Sequence, residues 1–364
     1  MPNASATRLD SVDVLRGVTI AGMMVVNDPG SWSAVYAPLL HAEWDGWTYT
    51  DTIFPFFLFL AGVSMALSFG RRREEGADPA AQLRHVGARA AAIVATGLAL
   101  NVTAFFAFHR EHLRFPGVLQ RIGLCVLFAG AIFLFGGVRG AVLAAAALLL
   151  GYWALLGAGP FDPAGNPAAR LDQAVFGAHT WKPGWDPEGL LSTLPAIATT
   201  LLGAVAGERL RREHAPGSLR AILAAGAGAA AVGLLWGRVF PINKSLWTSS
   251  YALLMSGLAC ACVAACVWVV DVRGWKRWAA PFLWLGRNAI AAFTLSTLGA
   301  IVLIAVKVAG PGGKPRSLWT ALYRTGFDRF QDPRAGSLFF ALAYLAFWTL
   351  VFGALYRRRI FIKI

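Results

Sequence analysis

The sequence predicts an all-α fold: a polytopic transmembrane helix bundle of about ten transmembrane helices, in a single domain over residues 1–364. Three observations carry that prediction. Hydrophobic residues make up 57% of the chain and charged residues only 14%, whereas a soluble domain is about one quarter charged. The apolar residues gather in segments close to the roughly 20 residues that a helix needs to cross about 30 Å of hydrocarbon. The basic residues give a net charge of +14, but they come in short clusters between those segments rather than on one phosphate-binding face. No nucleic-acid partner is expected.

The first segment, Val12 to Asn27, follows Asp10 and Asp13 and lacks a small-residue cleavage site, so it reads as a helix rather than a signal peptide. Thr52 to Phe69 comes next, opened by Asp51, with Pro55 tolerated in its first turn. Val86 to Phe108 and Val118 to Phe135 follow, then the short Ala141 to Leu156. Leu190 to Gly207, Leu219 to Phe240, Ser250 to Val270, Ala289 to Ala309 and Ser337 to Tyr356 complete the set. Trp275 to Trp284, basic and aromatic, reads as an interfacial helix. The stretches Gly157 to Gly189 and Gly310 to Gly336 are rich in Gly and Pro and read as loops long enough to fold over a site. Cys125, Cys260, Cys262 and Cys266 lie inside apolar segments and read as small hydrophobic side chains. No metal is expected.

Placing the N-terminus in the cytoplasm makes the charge alternate. Nineteen Lys and Arg, from Arg8 to Lys363, then fall in inner segments and ten in outer ones, with four inside the spans. Both termini are therefore expected in the cytoplasm. The bias toward Ala, Gly and Arg suits a GC-rich bacterial genome, so the expected location is a bacterial inner membrane.

On that topology, polar residues from distant parts of the chain share the outer face. Asn27 ends the first helix, His41 lies in a loop without Lys or Arg, and Asp51 opens the second helix. Asp45 and Trp47 share the loop with His41, Arg121 begins the fourth helix, Glu188 precedes the sixth, and Asn243 and Lys244 precede the eighth. Ionisable groups at membrane depth are costly and usually mark a site. Imidazole is the usual general base near neutral pH, and a nearby carboxylate fixes its tautomer and stabilises its cation. Each residue also has a plainer reading: Asp51 as a helix cap, Arg121 as an ion-pair strut, the tryptophans as an interfacial belt.

The blocks RLDSVDVLRGVTIAGMMVVNDPGSW and LLHAEWDGWTYTDTIFPFFLFLAGVS, followed by FPGVLQRIG, DPEGLLSTLPAIATTLLGAVAGERL, FPINKSLWTSSY and LGRNAIAAF, resemble the heparan-α-glucosaminide N-acetyltransferase family of membrane enzymes. The resemblance runs from Leu9 to Phe293. It implies transfer of an acetyl group from cytoplasmic acetyl-CoA to the amine of a terminal glucosamine-like sugar on the extracytoplasmic side. The family's catalytic histidine falls on His41 and its helix-ending asparagine on Asn27. By that resemblance the chain is expected to lack the animal enzyme's N-terminal lumenal domain and to have a longer loop between Asn27 and His41, which leaves the acceptor open.

The chemistry suits the residues. His41 can act as general base or acetyl carrier, and Asn27 can hydrogen-bond the thioester oxygen as charge develops on it. Asp45, Asp51 or Glu188 can attract a sugar ammonium, with Trp47 and its neighbours stacking on the ring. Arg71, Arg72, Arg287 and Asn288, on the inner face, are candidates for the CoA phosphates, for which arginine forks are suited. Expected partners are acetyl-CoA, an amino-sugar or glycan acceptor, membrane lipids and a second copy of the chain in a homodimer. The rival reading is a transporter or flippase for a charged glycan or lipid precursor. It is weakened by the lack of visible repeats and of strongly charged mid-helix residues.

Overall fold

The structure, a computed structural model, describes residues 9–157, 159–163, 165–212 and 216–362. Arg8 and Lys363, both counted on the inner side, lie outside the described residues. The chain folds into α1 (Asp10–Asn27), α2 (Tyr49–Glu74), α3 (Pro79–Ala107), α4 (Val118–Leu156), α5 (Pro167–Phe176), α6 (Thr193–Arg212), α7 (Pro216–Trp236) and α8 (Ser249–Cys266). It continues through α9 (Ala280–Gly286), α10 (Ala289–Ala305), α11 (Leu318–Gly326) and α12 (Pro333–Arg357). Among the described residues, one small antiparallel hairpin, β1 (Lys307–Ala309) with β2 (Pro315–Ser317), interrupts the helical pattern.

Among the described residues, six helices are long and apolar enough to cross a membrane: α2, α3, α4, α7, α8 with its extension to Val272, and α12. The pair α9 and α10, bent by 86° at their junction, makes a seventh if taken as one span. This is fewer than the ten segments expected, for three physical reasons. α1 carries Asp10, Asp13 and Arg16 within its 18 residues. α6 is built from Thr, Gly and Ala and ends in a charged turn. The fourth and fifth segments are joined in α4, whose 39 residues would measure nearly 60 Å if straight. It is not straight. Gly137 breaks it with φ 56° and ψ −153°, a conformation that glycine alone adopts without strain. Leu119 and Ile122 from one arm join Ala145 and Leu149 from the other in the same apolar cluster.

The expected interfacial helix at Trp275 to Trp284 is corrected. A π-helical turn ends at Val272, and helix α9 begins only at Ala280. Packing decides this: Gly17 of α1 lies against the Phe282 carbonyl and Gly286 against the Asp13 carbonyl, so closely that neither has room for a Cβ. The helix therefore docks on α1, and the preceding stretch from Trp275 to Trp278 stays exposed.

Small residues let α6 sit at the centre, between α2, α4 and α8. A Cβ on Gly203 would fall 2.0 Å from the Phe59 carbonyl oxygen, and one on Gly62 would fall 1.9 Å from that of Thr200. Close backbone approach through small residues is the usual basis of helix association in membranes. Gly203→Val is therefore expected to force α2 and α6 apart at a cost of at least about 1–3 kcal/mol. A lowered melting temperature and a broadened gel-filtration peak would register it; wild-type behaviour would mean the crossing is loose.

Candidate functional site

The start of α2 builds the core of the site. Thr48 and Asp51 form a capping box, in which Asp51 Oδ2 accepts from the Thr48 backbone N–H at 3.0 Å. The same oxygen accepts from the Ala42 N–H at 3.0 Å. The other oxygen, Oδ1, lies 2.6 Å from His41 Nδ1. Asp51 is 1% exposed, and Tyr251 donates to its carbonyl at 2.5 Å. An ionised carboxylate only accepts, so Nδ1 carries the proton and Nε2 keeps its lone pair for work as a base. The cap and the carboxylate beside His41, read as alternatives in the sequence, are one residue doing both.

His41 stands on the wall of a narrow cavity of about 100 Å³ between α1, α2, α4 and α10. Asn27, Thr50, Glu188 and Lys244 share the wall near His41, while Ile20, Met23, Phe57 and Phe293 line the deeper part. Thr19, eight residues before Asn27 on α1, also lines it, so the cavity reaches roughly 12 Å along the helix. Ile290, in the first turn of α10, marks its far end. Arg287 and Asn288 come just before that turn. Arg287 bonds Asp10 at 3.2 Å and lies over the Tyr356 ring at 5.2 Å. Asn288 holds the C-terminal segment, accepting from the Ile362 N–H at 2.8 Å.

The remaining expected residues scatter. Asp45 accepts from Asn243 Nδ2 at 3.1 Å, and Asn243 itself is fully buried; the pair ties the His41 loop to the approach to α8. Trp47 is exposed and lines none of the cavities described. Arg121 is 1% exposed, donates to the Gly189 carbonyl at 3.0 Å and to Ser192 Oγ, and lies over Trp247. Among the described residues it bonds no carboxylate. Arg71 sits at the end of α2 within 3.9 Å of Glu75, with Arg72 beside it.

The ion-pair strut expected of Arg121 is Arg114. Its Nε and Nη2 bond both oxygens of Asp186, at 2.8 and 2.6 Å, and Nη2 also reaches Glu188 at 2.5 Å. Burial opposes the charge on Arg114, but the two acids outweigh it and raise its pKa further. Burial likewise works to raise the Glu188 carboxyl, yet Arg114, with Lys244 and Arg121, holds it below its ordinary value. Nearby Asp172 lacks such a partner, and burial pushes its carboxyl up to about 6. The only sequence signal for Arg114 was its place directly before Phe-Pro-Gly, opposite an acid pair in need of a cation.

Membrane-length helices around a largely apolar cavity, with a carboxylate–histidine pair near one end, mark a polytopic membrane protein. The family can be stated as well. The model of the heparan-alpha-glucosaminide N-acetyltransferase catalytic region matches residues 8–238, and the chain belongs to that family. Relatives include the heparan-alpha-glucosaminide N-acetyltransferases of Homo sapiens and Mus musculus, 26% and 25% identical over 357 aligned positions. Each alignment covers 80% of this chain and 53% of the relative. The chain thus spans about half the length of these relatives.

Proposed function

We propose that the protein is a transmembrane N-acetyltransferase that moves an acetyl group from cytoplasmic acetyl-CoA to the amine of an amino sugar on the extracytoplasmic side. The observation that carries this reading is the cavity itself, which runs from the first turn of α10 to the His41–Asp51 pair. A thioester on a long flexible arm suits such a passage. Arg287, at the inner end, is the best placed of the four phosphate candidates. At the outer end His41 Nε2 takes the proton from the sugar ammonium, and Asp51 stabilises the imidazolium that forms. The freed amine attacks the thioester carbon, a C–N bond forms, the C–S bond breaks, and CoA leaves as the thiol. Asn27 donates to the carbonyl oxygen as it becomes negative, and Glu188 and Lys244 frame the acceptor. His41 as transient acetyl carrier needs the same residues.

The two arms of α4, together with α1 and α6, supply the further passes of a ten-span topology with both ends in the cytoplasm of a bacterial inner membrane. Two measurements test the reading. Purified protein given radiolabelled acetyl-CoA and glucosamine is expected to release free thiol and form labelled N-acetyl sugar in equal amounts. Sugar flux without thiol release would instead favour a transporter or flippase. In intact cells, a cysteine placed at position 41 is expected to react with an impermeant probe, and one at position 75 only after the membrane is opened. The reverse pattern would overturn the topology and the site together.

A further inference from the structure

A second cavity, of about 470 Å³, shares Asn27 with the His41 cavity and opens on the same end of the bundle. One side is the loop after α1, with Asp28, Ser31 and Trp32; the other is the α11 region, with Thr320, Arg324 and Asp328. This second side lies beyond the family match, which ends at residue 238.

The two sides are fastened together. Ser337, 1% exposed at the start of α12, accepts from the Ser31 N–H at 3.0 Å through Oγ, and its carbonyl accepts from the Gly30 N–H at 3.2 Å. Trp319 Nε1 donates to the Pro29 carbonyl at 3.3 Å, and Tyr36 donates to Asp332 at 2.7 Å. Gly30 is pressed against Tyr323, whose ring would meet a Cβ at 2.4 Å. These bonds fasten the loop after α1 to α11 and α12 beside the cavity.

Its lining suits a sugar. The carboxylate of half-buried Asp28 has no hydrogen bond or ion pair among the described residues, and burial pushes its carboxyl up to about 8. In either protonation state it can bond hydroxyls, and an ammonium would draw it into the ionised form. Trp32, 65% exposed, offers an open ring face. Ser31, Thr320, Arg324 and Asp328 supply further donors and acceptors.

We propose that this cavity is an acceptor subsite that binds the sugar adjoining the one acetylated, so that the substrate class is an oligosaccharide with free amino groups. Because Asn27 belongs to both cavities, a chain spanning them places one ring beside His41 and the next against Trp32. The proposal rests on the N-acetyltransferase reading, and its test separates the two.

The full chain, purified in detergent, is assayed for thiol release with glucosamine and with its β-1,4-linked dimer carrying free amines. Wild type is expected to favour the dimer in kcat/KM by about tenfold or more, the value of one or two added hydrogen bonds. Trp32→Ala and Asp28→Asn, checked for wild-type gel filtration, should bring that ratio to about one. Equal kcat/KM for both sugars in wild type overturns the subsite while leaving acetyl transfer intact. Should neither sugar be acetylated, the transferase reading fails, and fluorescence titration with the dimer alone decides the cavity. Saturable quenching that Trp32→Ala abolishes upholds a sugar site; no saturable binding overturns it.

Discussion

Replacing His41 with alanine is expected to lower acetyl transfer by about 10²–10⁴-fold, the usual worth of a general base, and to leave the protein folded. The side chain is 51% exposed, and substitutions away from buried or special positions usually stay within about 0.5 kcal/mol. The loop does not depend on the imidazole for its shape. Thr48 Oγ1 donates to the Leu40 carbonyl at 2.5 Å, and the Ala42 and Thr48 N–H groups keep their bonds to Asp51 Oδ2. Only Oδ1 loses its partner, at a position that water then reaches. The measurement is thiol release from acetyl-CoA with glucosamine, beside gel filtration of the same preparation. A folded His41→Ala protein with wild-type turnover would move the proton transfer elsewhere, and Glu188, on the same cavity wall, is the next group to test.

Arg114→Met should do the opposite and act on the fold. The substitution leaves Asp186 and Glu188, whose side chains are 0% and 5% exposed, without their shared counter-charge. Removing one partner of a buried ion pair costs about 3–5 kcal/mol, a large fraction of a typical domain's stability. The pH dependence has a definite sign. In the wild type Glu188 is held below its ordinary value, so its contribution is present at neutral pH and is lost as the pH falls below about 4.5. Without Arg114 burial dominates, the carboxyl rises, and the variant should be relatively more stable at pH 5.5 than at pH 7.5. Thermal unfolding in detergent at both values checks this. A variant as stable as wild type at pH 7.5 would show that the triad is dispensable.

The fold was legible in the sequence wherever hydropathy decided it, and less so where packing did. α2, α3, α7, α8 and α12 lie close to their predicted segments because each is an apolar run with charged ends. The joining of two segments at Gly137 was not visible, since a single left-handed glycine leaves no compositional trace. Trp275 to Trp284 has an interfacial composition, and only the fit of Gly286 against α1 shows where the helix lies. In the candidate site, His41, Asn27, Glu188 and Lys244 line one cavity, and the sequence groups them because each lies at or beside the end of an apolar segment on the expected outer side. Arg114 was passed over because it looks like any other loop charge until its partners, 72 and 74 residues away, are in place. Asp28 was passed over because it directly follows the residue that drew attention.

The narrowness of the His41 cavity bears on the energetics of the cell that carries this protein. On the proposed topology a cavity that enters the bundle beside His41 bears on the membrane potential, because any continuous file of water conducts protons. The deeper wall of the cavity is built from Ile20, Met23, Phe57 and Phe293. An ion entering that stretch sheds its hydration with nothing to replace it, a penalty of several kcal/mol. Under the proposed acetyl transfer, those apolar side chains would let a thioester arm enter the cavity without a conducting file of water beside it.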